Sequence, residues 1–226
     1  MDLIVAKFGG TSVADLEHIE TAADKIACEA KAGYRMAVVV SAMAGVTNDL
    51  IAQCEAMSDE LDMREHDTVV ASGEQVTSGL MALALQKRGL HACSWTASQL
   101  PFTTDTRHGK ARIVDVHADE MIAAIENGQI PVLAGFQGVS PERRLTTLGR
   151  GGSDTSAVAL ATALGANRCD IYTDVTGVFT ADPRIVRNAC RIDRIAYEEM
   201  LELASMGAKV LQVRAVEMAK KYNVRV

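Results

Sequence analysis

At 226 residues the chain is long enough for one substantial core or two closely joined lobes, and its 48% apolar and 23% charged residues are those of an ordinary folded domain. A formal net charge of -6 argues against nucleic acid as a bulk partner, because phosphate-backbone binding needs a basic face; small anions remain open to a local cationic cluster. No apolar run approaches the ~18 residues of a membrane span, and the N-terminus MDLIVAKFGG is no signal peptide, so no membrane is expected and the protein is placed in the cytoplasm.

In chain order, Leu3–Phe8 is an apolar run, with Lys7 its one charged residue, closed by Gly9-Gly10, which predicts a buried parallel strand. Leu16, Ile19, Ala23, Ile26 and Ala30 follow at helical spacing and stop at Gly33. Met36–Val40 predicts a second buried strand, Asn48–Met57 a helix, Thr68–Lys87 another, and His91–Trp95 a strand. Further on, Asp115–Glu126 reads as a helix ending at Asn127-Gly128, Pro131–Phe136 as a strand, Ser153–Leu164 as a helix and Arg168–Thr173 as a strand. Helices over Tyr197–Ser205 and Val210–Tyr222 precede a terminal strand start at Asn223–Val226. The polar stretches Ser98–Lys110 and Val139–Thr147 read as connections. Strands separated by helices of this length predict an α/β fold with a largely parallel sheet and helices on both faces, its ligands beyond the carboxyl ends of the strands.

Cys28, Cys54, Cys93, Cys169 and Cys190 are odd in number and dispersed, as reduced thiols are. His18, His66, His91, His108 and His117 show no metal-ligand spacing and read as surface or loop residues.

Glycine-bearing turns fall at several strand ends. TTLGRGGSDTSA, residues 146 to 157, combines flexible backbone at Gly149, Gly151 and Gly152 with a planar donor at Arg150, a good N-cap at Ser153 and a carboxylate at Asp154, just before an apolar helix. That set suits a phosphate or a small zwitterion at a helix N-terminus. Lys7 before Gly9-Gly10 could reach over a phosphate, or be a solvated lysine before a turn. Neither GxxxxGK[ST] nor GxGxxG occurs. SAMAGVTN, residues 41 to 48, offers Ser41 and Thr47 to a carboxylate, or merely caps a helix. Glu74 beside Gly73 is an acceptor for an ammonium group or a first-turn acid that favours the dipole. YTDVTGVFTADPR, residues 172 to 184, is a nucleotide clasp or an ordinary hairpin, and Lys209 opening a helix is unfavourable for the dipole unless it faces an anion.

Taken together, KFGGTS at 7 to 12, SAMAGVTN at 41 to 48, GE at 73 to 74, TTLGRGGSDTSA at 146 to 157, YTDVTGVFTADPR at 172 to 184 and MGAKVL at 206 to 211 resemble, in order and over essentially the whole chain, the aspartate kinases of the amino-acid kinase superfamily. The resemblance implies a three-layer αβα sandwich with a central, mostly parallel sheet. Residues of about 1–140 would form an amino-acid-binding lobe and about 141–226 a nucleotide-binding lobe. It also implies an ATP-dependent kinase that converts L-aspartate to 4-phospho-L-aspartate, with Mg²⁺ bound mainly through ATP, and a homodimer.

By the same resemblance, Lys7 neutralises the transferring phosphoryl group beside the Gly9 and Gly10 amides, and Asp154 orients Lys7 and meets the substrate ammonium. Arg150 grips the α-carboxylate, while Ser41, Thr47, Glu74 and Ser153 complete the amino-acid pocket. Thr173, Asp174, Phe179, Arg184 and Lys209 hold the nucleotide; Phe179 stands where relatives often have Tyr. Family members usually continue into paired ACT domains, so no ACT effector site is expected in a chain ending at Val226. The alternatives are a kinase for another small carboxylate and a catalytically silent amino-acid or nucleotide-binding module.

Overall fold

Apolar runs with no polar alternation need cover on both faces, and β1 (Leu3–Phe8), β2 (Arg35–Val40) and β6 (Ile130–Ala134) have it. In the computed structural model, which describes residues 1–96, 99, 102–208 and 210–226, these strands join β3 (Ala92–Trp95) and β9 (Arg168–Tyr172). The sheet has the order β3-β6-β2-β1-β9 with every pairing parallel. The two-residue period then sorts the side chains. Leu3, Val5, Ala37, Val39 and Leu133 pack with α5 (Asp119–Glu126), α6 (Gly152–Ala163) and α8 (Val213–Tyr222). Ile4, Ala6, Phe8, Met36, Val38 and Val40 pack with α1 (Leu16–Lys31) and α4 (Ser72–Lys87). This is the three-layer αβα sandwich that the sequence predicts. Helix α6 runs through the core, buried from Gly152 to Ala161, because small side chains let it lie close to the sheet.

Several elements differ from the sequence reading. The predicted helix Thr68–Lys87 is two helices, α3 (Met63–Val70) and α4, broken at Ala71. Asp115–Glu126 is divided between strand β5 (Ile113–Val116) and α5. The connections Ser98–Lys110 and Val139–Thr147 contain β4 (Phe102–Thr104) and β8 (Leu145–Thr147), which with β5 and β7 (Gln137–Val139) make a second, mixed sheet of order β5-β4-β7-β8. Helix α7 (Tyr197–Ser205) keeps its predicted bounds, and α2 (Val46–Met57) begins two residues before the predicted Asn48. Helix α8 begins three residues later than predicted, so Gly207 and Ala208 lie in a turn rather than at a helix start. No named strand covers Asn223–Val226, whose first residue takes the left-handed conformation that ends α8.

Candidate active site

The carboxyl ends of β1, β2, β6 and β9 converge on one open cavity of about 620 Å³. Lys7 shares the parity of Leu3 and Val5, so its side chain points toward α6, whose first turn carries Asp154. The Lys7 Nζ lies 2.6 Å from Asp154 Oδ1 with both side chains 10% exposed, although the contact lacks the angles of a directional hydrogen bond. Gly9 and Gly10 follow at the mouth. A Cβ on Gly10 would come 3.0 Å from the Ala42 carbonyl oxygen, and one on Gly9 would come 3.3 Å from Lys7 Nζ. The Gly9 N–H donates to the Tyr172 carbonyl at 3.1 Å, tying β1 to β9. It is therefore committed to the fold, unlike the phosphate donor expected of it, whereas the Gly10 N–H has no such backbone partner among the described residues.

Two helices aim their N-termini into the cavity. Each starts at a left-handed glycine, Gly45 (φ 84°) before α2 and Gly151 (φ 71°) before α6. Gly151, not Ser153, is thus the N-cap of α6: the chain turns too sharply there for a residue with a Cβ, which would lie 1.7 Å from Gln212 Cγ. The amides of Ser153 and Asp154 are left without carbonyl partners among the described residues, so the positive end of the helix dipole faces the cavity, an arrangement that favours an anion. Ser41 and Thr47 line the same wall.

The charged groups are unequally satisfied. Arg150 stands exposed at the rim with no ion pair among the described residues. Glu74 is 3% exposed in the first turn of α4, where the Ala42 N–H donates to its Oε1 at 3.1 Å and its Oε2 is buried with no partner among the described residues. Burial pushes the Glu74 carboxyl up to about 7, against the opposing pull of the Ala42 hydrogen bond. A half-satisfied buried carboxyl facing a cavity is suited to a cation.

Lys7, Gly9, Gly10, Ser41, Thr47, Glu74, Arg150, Ser153, Asp154, Thr173 and Asp174 all line this one cavity. Phe179 and Arg184 do not. Phe179 bridges to Arg191, and Arg184 is held to Asp182, two residues away, with Nη2 donating to Oδ2 at 2.8 Å. Lys209 lies outside the described residues.

Some cavity residues escape the sequence reading. Phe136 takes φ 67° at the end of β6, fixed by its N–H donating to Ser156 Oγ and by its carbonyl accepting from Leu148 N–H. Nothing in the local sequence points to that bend. His66 on α3 also lines the cavity, and its side-chain exposure of 12% corrects the surface or loop reading; His108 is a loop residue as expected, though its side chain is only 10% exposed.

The chain belongs to the amino acid kinase family, whose family model matches residues 2–226. Its relatives narrow the likeness further. It is 52% identical to an aspartate kinase of Pseudomonas putida and 51% identical to aspartokinase 2 of Bacillus subtilis, each over 99% of this chain. It spans about half the length of these curated relatives, 54% and 55%. Among solved structures, the aspartate kinase from Synechocystis superposes with a TM-score of 0.87 at 45% identity, over 98% of this chain and 37% of that one. Aspartokinase III of E. coli in complex with aspartate and ADP superposes with a TM-score of 0.89 at 31% identity, over 99% and 60%.

Proposed function

We propose that this chain carries the phosphoryl-transfer centre of an ATP-dependent aspartate kinase, which makes 4-phospho-L-aspartate and ADP. One observation carries the reading: an unpaired guanidinium (Arg150) and a half-satisfied buried carboxyl (Glu74) flank the Lys7–Asp154 pair in a single cavity. That charge pattern complements an α-amino acid placed beside a phosphate.

The chemistry asks little of acid–base groups. The substrate's side-chain carboxylate, with an ordinary pKa of about 3.9, is already ionised at neutral pH and attacks without a general base. The difficulty is bringing two anions together, so the residues' work is charge neutralisation and alignment. In this reading Arg150 takes the α-carboxylate in a bidentate grip, Glu74 and Asp154 receive the ammonium, and Ser41, Thr47 and Ser153 complete the pocket. Lys7 lies over the transferring group and Asp154 holds it there. Triphosphate fits the cradle of Gly10 N–H, the α6 amides and Lys7, and Thr173 and Asp174 border it; ATP supplies the electrophilic phosphorus. Among the described residues no cluster of three or more His, Cys, Asp or Glu could hold a metal, so Mg²⁺ would arrive on the phosphates. Roles for Phe179, Arg184 and Lys209 in holding the nucleotide rest on the family resemblance. An amino-acid lobe of about 1–140 and a nucleotide lobe of about 141–226 would then share the site across their boundary, Arg150, Ser153 and Asp154 serving the amino acid and Lys7 and Gly10 the phosphates.

The activity would open the aspartate-derived route to lysine, threonine and methionine. Helix α4 presents Val76 and Leu83 to solvent, 53% and 61% exposed, with Leu80 between them, a face suited to a homodimer. Sedimentation of wild type and a Leu83→Glu variant tests the dimer. The function is tested by ADP release and hydroxamate trapping with aspartate, glutamate, acetylglutamate and uridylate. Aspartate alone should give both signals; a hydroxamate from another acid, or none, refutes the assignment.

A further inference from the structure

Asp67 is wholly buried on the face of α3 that it shares with Val70, whereas an acid on an amphipathic helix normally meets water. It does not line the cavity; its carboxylate is instead consumed by a network of donors. The Thr147 hydroxyl donates to Oδ1 at 2.6 Å and the Thr147 N–H to Oδ2 at 3.0 Å. The Gly109 N–H lies 3.0 Å from both oxygens, and His108 Nδ1 shares a hydrogen bond with Oδ2 at 2.9 Å. Burying a carboxylate is costly without such compensation, so the three segments are locked together by it. Two of the links run toward Arg150. Thr147 is three residues before it along the chain, and Gly109 lies beneath Gly149 so closely that a Cβ there would be 3.2 Å from the Gly109 carbonyl oxygen.

We propose that Asp67 is a positioning residue for Arg150: it braces residues 147–151 from behind, through Thr147 and Gly109, so that the guanidinium is held where a substrate carboxylate arrives. The proposal rests on the reading of Arg150 as the carboxylate receptor. Asp67→Asn keeps the shape but turns one acceptor into a donor that faces existing donors. It should raise the aspartate KM at least about tenfold, leaving the ATP KM within about twofold. Thr147→Val, which keeps the fold's backbone link and loses only the hydroxyl, should shift the aspartate KM the same way by less. In an Arg150→Ala background neither change should raise the aspartate KM further, since the residue they position is gone.

Hydrogen exchange supplies a readout independent of activity. Amides of residues 147–152 should exchange faster in both variants, while β1 and α4 stay as in wild type. Equal rises in both KM values, full additivity with Arg150→Ala, or unchanged exchange over 147–152 would each overturn the proposal. If wild type showed no aspartate-dependent ADP release, the kinase reading would fail by itself, and exchange would still decide whether Asp67 braces the loop. Should Asp67→Asn not fold, Thr147→Val carries the same comparisons.

Discussion

Glu74 offers the sharpest test because its protonation and its proposed ligand are coupled. In the free protein its carboxyl titrates near 7, against a usual value of 4.5, chiefly because burial disfavours the charged form. An ammonium group beside the unpartnered Oε2 would reverse that, so aspartate should bind the ionised form. Below pH 7 binding must then release a proton, and the aspartate Kd should be about tenfold weaker at pH 6 than at pH 8, levelling off above. Neither carboxylate of aspartate titrates in that window, and substitution of the cavity histidine, His66, serves as the control. Calorimetry without nucleotide, in two buffers of different ionisation enthalpy, measures both the Kd and the proton count. The dependence should survive in His66→Gln and vanish in Glu74→Gln. A Kd that is flat from pH 6 to 8, or a slope unchanged in Glu74→Gln, would refute the ammonium assignment.

The same shift has a stability consequence whose sign runs against the usual carboxylate case. Between pH 4.5 and 7 the unfolded chain has lost this proton while the folded chain keeps it, so stability falls as pH rises through that window. The full loss, about 3 kcal/mol, is in force above pH 7. Glu74→Gln should therefore unfold at higher denaturant than wild type at pH 8, and near equality at that pH would sink the account.

Other expectations follow from the geometry. Lys7→Ala should lower kcat by about 10²–10³ while changing the aspartate KM far less; unchanged turnover rejects its role at the phosphoryl group. Arg150→Ala should raise the aspartate KM by about 10–100-fold, as loss of a bidentate charged contact does, and Arg150→Lys should restore little of it. A normal KM in the alanine variant would make Arg150 structural. Gly151→Ala forces a side chain into the left-handed region against Gln212, so chemical denaturation should show a loss of about 1–3 kcal/mol; a neutral change would mean that this turn is not strained. Leu160→Ala empties a fully buried site between α6 and the sheet and should cost about 2–5 kcal/mol by the same measurement, whereas less than about 1 kcal/mol would show that the core collapses around it.

The central sheet was legible because β1, β2 and β6 are covered on both faces and so carry largely apolar runs, Lys7 and Arg35 excepted. The mixed sheet was not: its strands are three or four residues long, and Phe102-Thr103-Thr104 or Leu145-Thr146-Thr147 looks like loop until paired. The Ala71 break carries neither Gly nor Pro, so periodicity ran straight through it. Most cavity residues were legible as glycine-rich turns with charge beside them. Asp67 and His108 were not, since an isolated acid and an isolated histidine look solvated until the fold brings them together across 41 residues of sequence.

The Lys7–Asp154 pair describes a resting state that is already internally compensated. The Lys7 cation is neutralised by a neighbour 2.6 Å away, and Glu74 adds a second negative charge to the free cavity only as pH rises through about 7. A stray inorganic anion entering the cavity must compete with Asp154 for Lys7 and gains little by doing so. In the proposed reading aspartate's ammonium would share Asp154 with Lys7 and weaken that pair, leaving more of the Lys7 charge for phosphate. The two substrates would thus exchange partners with the protein rather than simply add contacts. Each should bind modestly alone and more tightly in the presence of the other, a mutual dependence that arises from one ion pair without any movement of the backbone.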